Sequence, residues 1–106
     1  MLQFLAALSA AIAIGAGAFG AHALTGKEAD WLRTGGFYQL IHAVAVLALA
    51  RQASPAASWM LLGGATLFAA TLYAMALGAP RVLGAVTPVG GALMIAGWLL
   101  LAWKLR

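Results

Sequence analysis

The chain begins with a long apolar run that carries no charge. No charged residue occurs from Leu2 to Leu24, and about 20 apolar residues are enough for a helix to cross the hydrocarbon core of a bilayer. A cleaved signal peptide is the alternative, since Ala21–Ala23 (AHA) resembles a cleavage site. A signal peptide has a basic start and a shorter apolar core, whereas MLQF contains neither Lys nor Arg. The run therefore predicts a membrane-spanning helix that is retained.

Composition extends this prediction to the whole chain. Of its 106 residues, 65% are hydrophobic and 8% are charged, whereas a soluble domain has about 25% charged residues. The net charge of +4 comes from single residues at segment ends, so no basic cluster of the kind that binds nucleic acid is present. There is no cysteine, which excludes disulfides, thiolate metal sites and a cysteine nucleophile. The expected partner is the lipid bilayer, with no nucleic acid.

Charges and helix-capping residues divide the chain into four apolar segments. Thr25 followed three residues later by Glu28 predicts a capping box at the start of the second helix. Ser54 and Pro55 are a cap and a first helical residue, so they predict the start of the third helix. The predicted spans lie near residues 2–24, 30–50, 56–78 and 82–103.

The fourth segment is interrupted by Thr87 and Pro88. A helix from Pro88 to Trp103 is only roughly 24 Å long at 1.5 Å per residue, which is short for a span. Either the helix starts earlier and bends at Pro88, or Leu83–Thr87 is an irregular stretch buried among the other helices; we predict the second. Trp98 and Trp103 are predicted to lie at the far membrane interface.

Four spans joined by short connections predict an all-α integral membrane protein folded as an up-down four-helix bundle. Residues 1–106 form one domain, with both termini on the same side of the membrane. Lys and Arg residues divide equally between the two sides, so the positive-inside rule leaves the orientation open. The basic C-terminus slightly favours both termini inside.

Three polar side chains interrupt the apolar part of the second helix: Tyr38, Gln39 and His42. At about 100° per residue they share an arc of roughly 100°, and intramembrane polar groups face the interior of a bundle. Partners available on the other helices are His22, Thr66 and Tyr73. Hydrogen bonds between helices account for the stripe without any further function, and a ligand or proton-handling site is the alternative. The candidate intramembrane polar cluster is His22, Tyr38, Gln39 and His42.

Small residues mark the predicted helix contacts. Gly17 and Gly20 belong to small-xxx-small pairs in the first helix, and Gly90 and Gly97 lie two turns apart in the fourth. Such faces let another backbone approach closely, so we assign them to packing within the bundle. The same faces can build an oligomer, which makes another copy of the chain or another membrane protein the alternative partner.

No arrangement typical of catalysis occurs. The only acids are Glu28 and Asp30, in the charged connector before the second span, and hydrolysis or group transfer needs a nucleophile with a base or paired carboxylates. Haem ligation would need His22 and His42 at similar depths, but they lie roughly 4 and 12 Å from their ends of the bundle. We therefore expect no enzyme, no metal site and no cofactor.

Motifs in three segments resemble one protein family. GAFGAH closes the first span, YQLIHA follows a Trp in the second and TPVGGALMIAGW lies in the fourth. Together they resemble the YgdD-like family, small uncharacterised inner-membrane proteins of bacteria with transmembrane counterparts in animals. The resemblance covers nearly the whole chain and implies a four-span protein of the bacterial inner membrane, with no catalytic residue.

Two functions are compatible with these patterns. The first is a structural or accessory membrane protein. The second is a small proton-coupled transporter that uses the His/Tyr/Gln stripe. Proton coupling needs a titratable group within the membrane, and histidine can serve where no carboxylate is present.

Overall fold

Four α-helices account for most of the structure. The computed structural model describes all 106 residues and contains no strand. Its elements are α1 (Leu2–Ala23), α2 (Gly26–Ala48), α3 (Pro55–Ala76), a 3₁₀ helix (Arg81–Ala85) and α4 (Thr87–Leu105). The all-helical prediction is confirmed.

Local sequence signals explain where two of these helices begin. Ser54 caps α3 as predicted, because its Oγ accepts a hydrogen bond from the backbone N–H of Ala57 at 3.2 Å. Thr25 is the N-cap of α2, but its side chain makes no capping hydrogen bond, so the predicted capping box does not form. The tight reversal from α1 into α2 uses Gly26, whose φ of +65° lies in the left-handed region that glycine adopts without strain.

The interruption at Thr87 and Pro88 is a helix start. α4 begins at Thr87 and has Pro88 in its first turn, where a missing N–H costs no intrahelical hydrogen bond. The residues before it form the 3₁₀ helix Arg81–Ala85, none of which is buried. The prediction of an irregular, buried stretch over Leu83–Thr87 is therefore wrong for all but Thr87, whose hydroxyl lies 2.6 Å from that of Thr71.

Helices that follow one another in the chain pack as antiparallel neighbours. In the first pair, Gly20 lies against Leu32 at one end and Ala6 packs with Val46 at the other. No Cα atoms of α1 and α4, or of α2 and α4, come within 8 Å of each other. The four helices therefore form an open arrangement with α2 and α3 at its centre. A closed bundle would also bring α1 beside α4.

Glycines set the distance between α3 and α4. A Cβ added at Gly90 would lie 2.5 Å from the backbone N of Phe68 and 2.7 Å from the backbone O of Gly64. Near the other end of the contact, a Cβ at Gly97 would lie 3.0 Å from the Leu61 side chain. The two backbones thus approach as closely as small residues allow.

The two glycines singled out in α1 differ from each other. A Cβ at Gly20 would lie 2.9 Å from the Cβ of Leu32, so this residue packs inside the helix pair. Nothing lies within 4 Å of a Cβ added at Gly17. The backbone nitrogen of Gly17 nevertheless lies 3.6 Å from the position of a Cβ added at Gly36 of α2, so the packing role of Gly17 stays a prediction.

Three stretches are long and apolar enough to cross a membrane: Leu2–Ala23, Pro55–Ala76 and Arg81–Leu105. The helix α2 is not among them, although a span was predicted over residues 30–50. Its first turns contain Lys27, Glu28, Asp30 and Arg33, and Gln39 and His42 lie further along. These polar residues lower its hydropathy regardless of the direction in which they point.

The glycine contact makes a testable prediction about α4. We expect Gly90→Ala to destabilise the fold by about 1–3 kcal/mol, because the added methyl overlaps the α3 backbone. Gly91→Ala is the matched control, since nothing lies within 4 Å of a Cβ there and both variants gain the same helix propensity. Unfolding midpoints would be measured by circular dichroism during SDS titration in a mild detergent. Equal midpoints for the two variants would contradict the close contact.

Candidate intramembrane polar site

Gln39 connects α2 to both of its neighbours. Its Nε2 donates to the Oγ of Ser9 on α1 at 2.8 Å, and its Oε1 accepts from the hydroxyl of Tyr73 on α3 at 2.6 Å. The Gln39 side chain is 5% exposed, so these bonds form in the interior. One amide therefore joins three helices at the same height.

His42 makes the corresponding connection to α4. The indole N–H of Trp98 donates to His42 Nε2 at 3.0 Å, and His42 Nδ1 lies 2.7 Å from the carbonyl oxygen of Tyr38. Because an indole nitrogen is only a donor, Nε2 must be unprotonated, and Nδ1 then carries the proton and donates to the carbonyl. The bond from Trp98 therefore joins α2 to α4.

The side chain of Tyr38 lies outside this network. Its ring packs on Phe68 of α3 with centroids 5.0 Å apart and lies near the His42 ring at 6.4 Å. The side chain is 41% exposed, so the prediction that it faces protein together with Gln39 and His42 is wrong. The cause is the gap between α2 and α4, which leaves this side of α2 uncovered.

Of the three partners predicted on the other helices, only Tyr73 bonds to the stripe. Tyr73 reaches Gln39, but the Thr66 hydroxyl donates to the carbonyl of Leu62 on its own helix at 2.7 Å. His22 is exposed in the last turn of α1 and forms no hydrogen bond, so it is not part of the cluster. Its place is taken by Ser9, which sequence reasoning did not assign to the cluster.

A smaller polar contact joins α3 to the start of α4. The hydroxyls of Thr71 and Thr87 are 2.6 Å apart, and Thr87 Oγ1 donates to the carbonyl of Leu83 at 3.3 Å. Across the chain no buried polar side-chain atom lacks a hydrogen-bond partner. The polar groups of the interior therefore satisfy one another.

A groove beside this network opens between α1 and α3, with a volume of about 510 Å³. Its walls are mostly apolar, and Ser9 and Gln39 lie at its floor. Their facing atoms are already bonded to each other at 2.8 Å. No group of three or more His, Cys, Asp or Glu side chains is placed to hold a metal ion, and both ring nitrogens of His42 are occupied.

Comparison with known proteins gives consistent matches. Residues 16–91 match the sequence model of a family described as "Protein of unknown function (DUF423)". The chain is 41% identical to a UPF0382 membrane protein of Staphylococcus epidermidis, over 92% of this chain and 88% of that protein. It is 39% identical to a UPF0382 membrane protein of Haemophilus influenzae (93% and 88% covered). It is 42% identical to the UPF0382 inner membrane protein YgdD of Escherichia coli K12 (95% and 85% covered). No solved structure matches.

The bond between Trp98 and His42 can be tested by mutation. Trp98→Phe removes the donor to a buried acceptor, so we expect a loss of about 0.6–2 kcal/mol in the free energy of unfolding in detergent. Trp103→Phe is the matched control, since Trp103 is 64% exposed and phenylalanine keeps an aromatic ring beneath the Arg106 guanidinium. Its midpoint should not change.

A double-mutant cycle with His42→Leu separates the bond from the packing of the indole ring. We expect the double variant to lose less stability than the sum of the single variants, because either substitution alone already breaks the bond. Strictly additive losses would show that Trp98 and His42 are not coupled.

Proposed function

The chain belongs to the family described as "Protein of unknown function (DUF423)", and on that premise we propose that it is an integral protein of the bacterial inner membrane with a structural or accessory role. The resemblance to YgdD-like proteins drawn from its motifs is confirmed by the 42% identity to YgdD. The relatives named above are membrane proteins, and the E. coli relative is an inner membrane protein. Those names support the same location for this chain.

The proposal includes four membrane crossings, with α2 as the second. The 23 residues of α2 extend roughly 34 Å at 1.5 Å per residue, enough for a hydrocarbon core of about 30 Å. α2 packs antiparallel along both α1 and α3, so it crosses wherever they cross. Gln39 and His42, which lower its hydropathy, are each 5% exposed and do not face lipid. The longest dimension of the molecule, 42 Å, also fits a bilayer of about 40–45 Å with headgroups.

Four crossings place both termini on one side. The chain has no cysteine, so single-cysteine variants can be labelled without background. Gln3→Cys and Lys104→Cys should react with a membrane-impermeant maleimide from the same side of spheroplast membranes, and Lys27→Cys from the other. Opposite labelling of the two terminal positions would require an odd number of crossings and would contradict α2 as a span.

The structural role rests on one observation: the interior polar groups are paired with one another. Gln39 bonds to α1 and α3, His42 bonds to α4, and no buried polar side-chain atom is left without a partner. A proton or ion pathway needs a polar or titratable group available within the membrane. Here the side chains of Glu28 and Asp30 lie in the first turns of α2, away from the network. Gln39 and His42 therefore hold the helices in register.

Reconstitution into vesicles distinguishes this role from transport. With an imposed proton gradient, we expect vesicles containing the protein to show the same flux of protons and small cations as protein-free vesicles. His42→Ala tests the alternative, and His22→Ala is its matched control, because His22 is exposed and outside the network. A pH-dependent flux that is lost in His42→Ala and kept in His22→Ala would contradict the structural role and identify a proton-coupled transporter.

A further inference from the structure

A second groove lies where the 3₁₀ helix leads into α4. It has a volume of about 430 Å³, within the range of sites that bind small ligands. α3 forms its floor, and Trp31 of α2 lies on one side with Arg81 and Gly84 of the 3₁₀ helix on the other. Since α2 and α4 do not come within 8 Å at their Cα atoms, the gap between these helices leaves the groove open sideways, towards lipid.

The floor of the groove is a continuous apolar stripe. Met75, Leu72 and Phe68 line it and follow one another at helical spacing along one face of α3. From the last turn of α3 they lead roughly 10 Å down the helix, at 1.5 Å per residue. This length and polarity suit a segment of an acyl chain that enters from the membrane surface.

The mouth of the groove carries an unpaired cation. Arg81 is exposed and makes no ion pair, and its guanidinium carbon lies 5.9 Å from the centre of the Trp31 ring. Tryptophan and arginine at this position in a membrane protein lie at the level of the lipid headgroups. A guanidinium group binds a phosphate through two parallel hydrogen bonds. The mouth of the groove is therefore complementary to an anion, and its floor is complementary to hydrocarbon.

We infer that this groove binds an anionic phospholipid, with its phosphate on Arg81 and one acyl chain along Met75, Leu72 and Phe68. Charge and polarity select this occupant, because a free phosphate would leave the apolar floor uncovered and an uncharged hydrocarbon would leave Arg81 without a counter-ion. The inference rests on the proposed position of the protein in the bilayer, which places Arg81 at the headgroups.

Native mass spectrometry of the full chain in a non-ionic detergent tests the headgroup contact. Phosphatidylglycerol is titrated against phosphatidylcholine with the same acyl chains, and the glycerol lipid should bind more tightly. Arg81→Gln should weaken phosphatidylglycerol binding about tenfold, the loss of one charge-assisted contact. Lys27→Gln removes one exposed charge on the same side of the membrane outside the groove and should change the affinity by less than about twofold.

A second variant tests the apolar floor without removing a contact. A Cβ added at Gly84 would meet only the sulfur of Met75, at 3.8 Å, so Gly84→Phe can place its ring in the groove. It should abolish tight binding of phosphatidylglycerol while the unfolding midpoint in SDS stays at the wild-type value. Glycerol phosphate, which has no acyl chain, should not compete with the lipid.

Four results would overturn the lipid site. They are equal weakening by Arg81→Gln and Lys27→Gln, equal affinity for the two lipids, full binding by Gly84→Phe, and competition by glycerol phosphate at the concentration of the lipid. Cysteine labelling of the same protein in vesicles reports its crossings independently. A correctly inserted protein with any of these four results would contradict the lipid site alone, and an odd number of crossings would contradict the four-span proposal alone.

Discussion

A polar side chain within hydrocarbon must find its hydrogen-bond partner inside the protein, and this requirement organises the whole structure. Gln39 bonds to Ser9 of α1 and Tyr73 of α3, and His42 accepts from Trp98 of α4. Two side chains one turn apart on α2 thus contact every other helix. The open arrangement follows, because α1 and α4 are each attached to the central pair and need no contact with each other.

Glycine contacts set the distance between neighbouring helices, which the hydrogen bonds do not determine. Gly90 and Gly64 bring the backbones of α3 and α4 together, and Gly20 does the same for α1 and α2 against Leu32. In lipid, where the hydrophobic effect does not drive helices together, such close packing gains dispersion contacts that longer side chains would prevent. Hydrogen bonds therefore fix which residues lie at the same height, and glycines fix how near the helices lie.

Helix positions can be predicted from local sequence signals. The hydrogen-bond partners of the polar stripe cannot, because they lie far away in the chain and depend on the fold. Charge-free runs and the cap at Ser54 act within one helix, so they can be recognised without the fold. Ser9 looks like any small residue of α1, although it and Gln39 lie at similar distances from the reversal at Thr25, which is the signal that would have paired them. The sequence places Trp98 at the interface because it does not locate the start of α4. The position of Trp98 along the helix depends on that start. With α4 beginning at Thr87, Trp98 lies roughly 16 Å along the helix, where its indole reaches His42 of α2.

The gap between α2 and α4 connects the polar network to the membrane surface. At mid-depth the gap is bridged by the bond from Trp98 to His42 and covered by the ring of Tyr38 on Phe68. At the level of the 3₁₀ helix, the Arg81 guanidinium lies 5.9 Å from the centre of the Trp31 ring, and the groove remains beside this contact. The anionic lipid proposed for this groove would fill the space between the two helices. An anionic lipid there would hold α2 and α4 together at the surface, as the indole does at mid-depth.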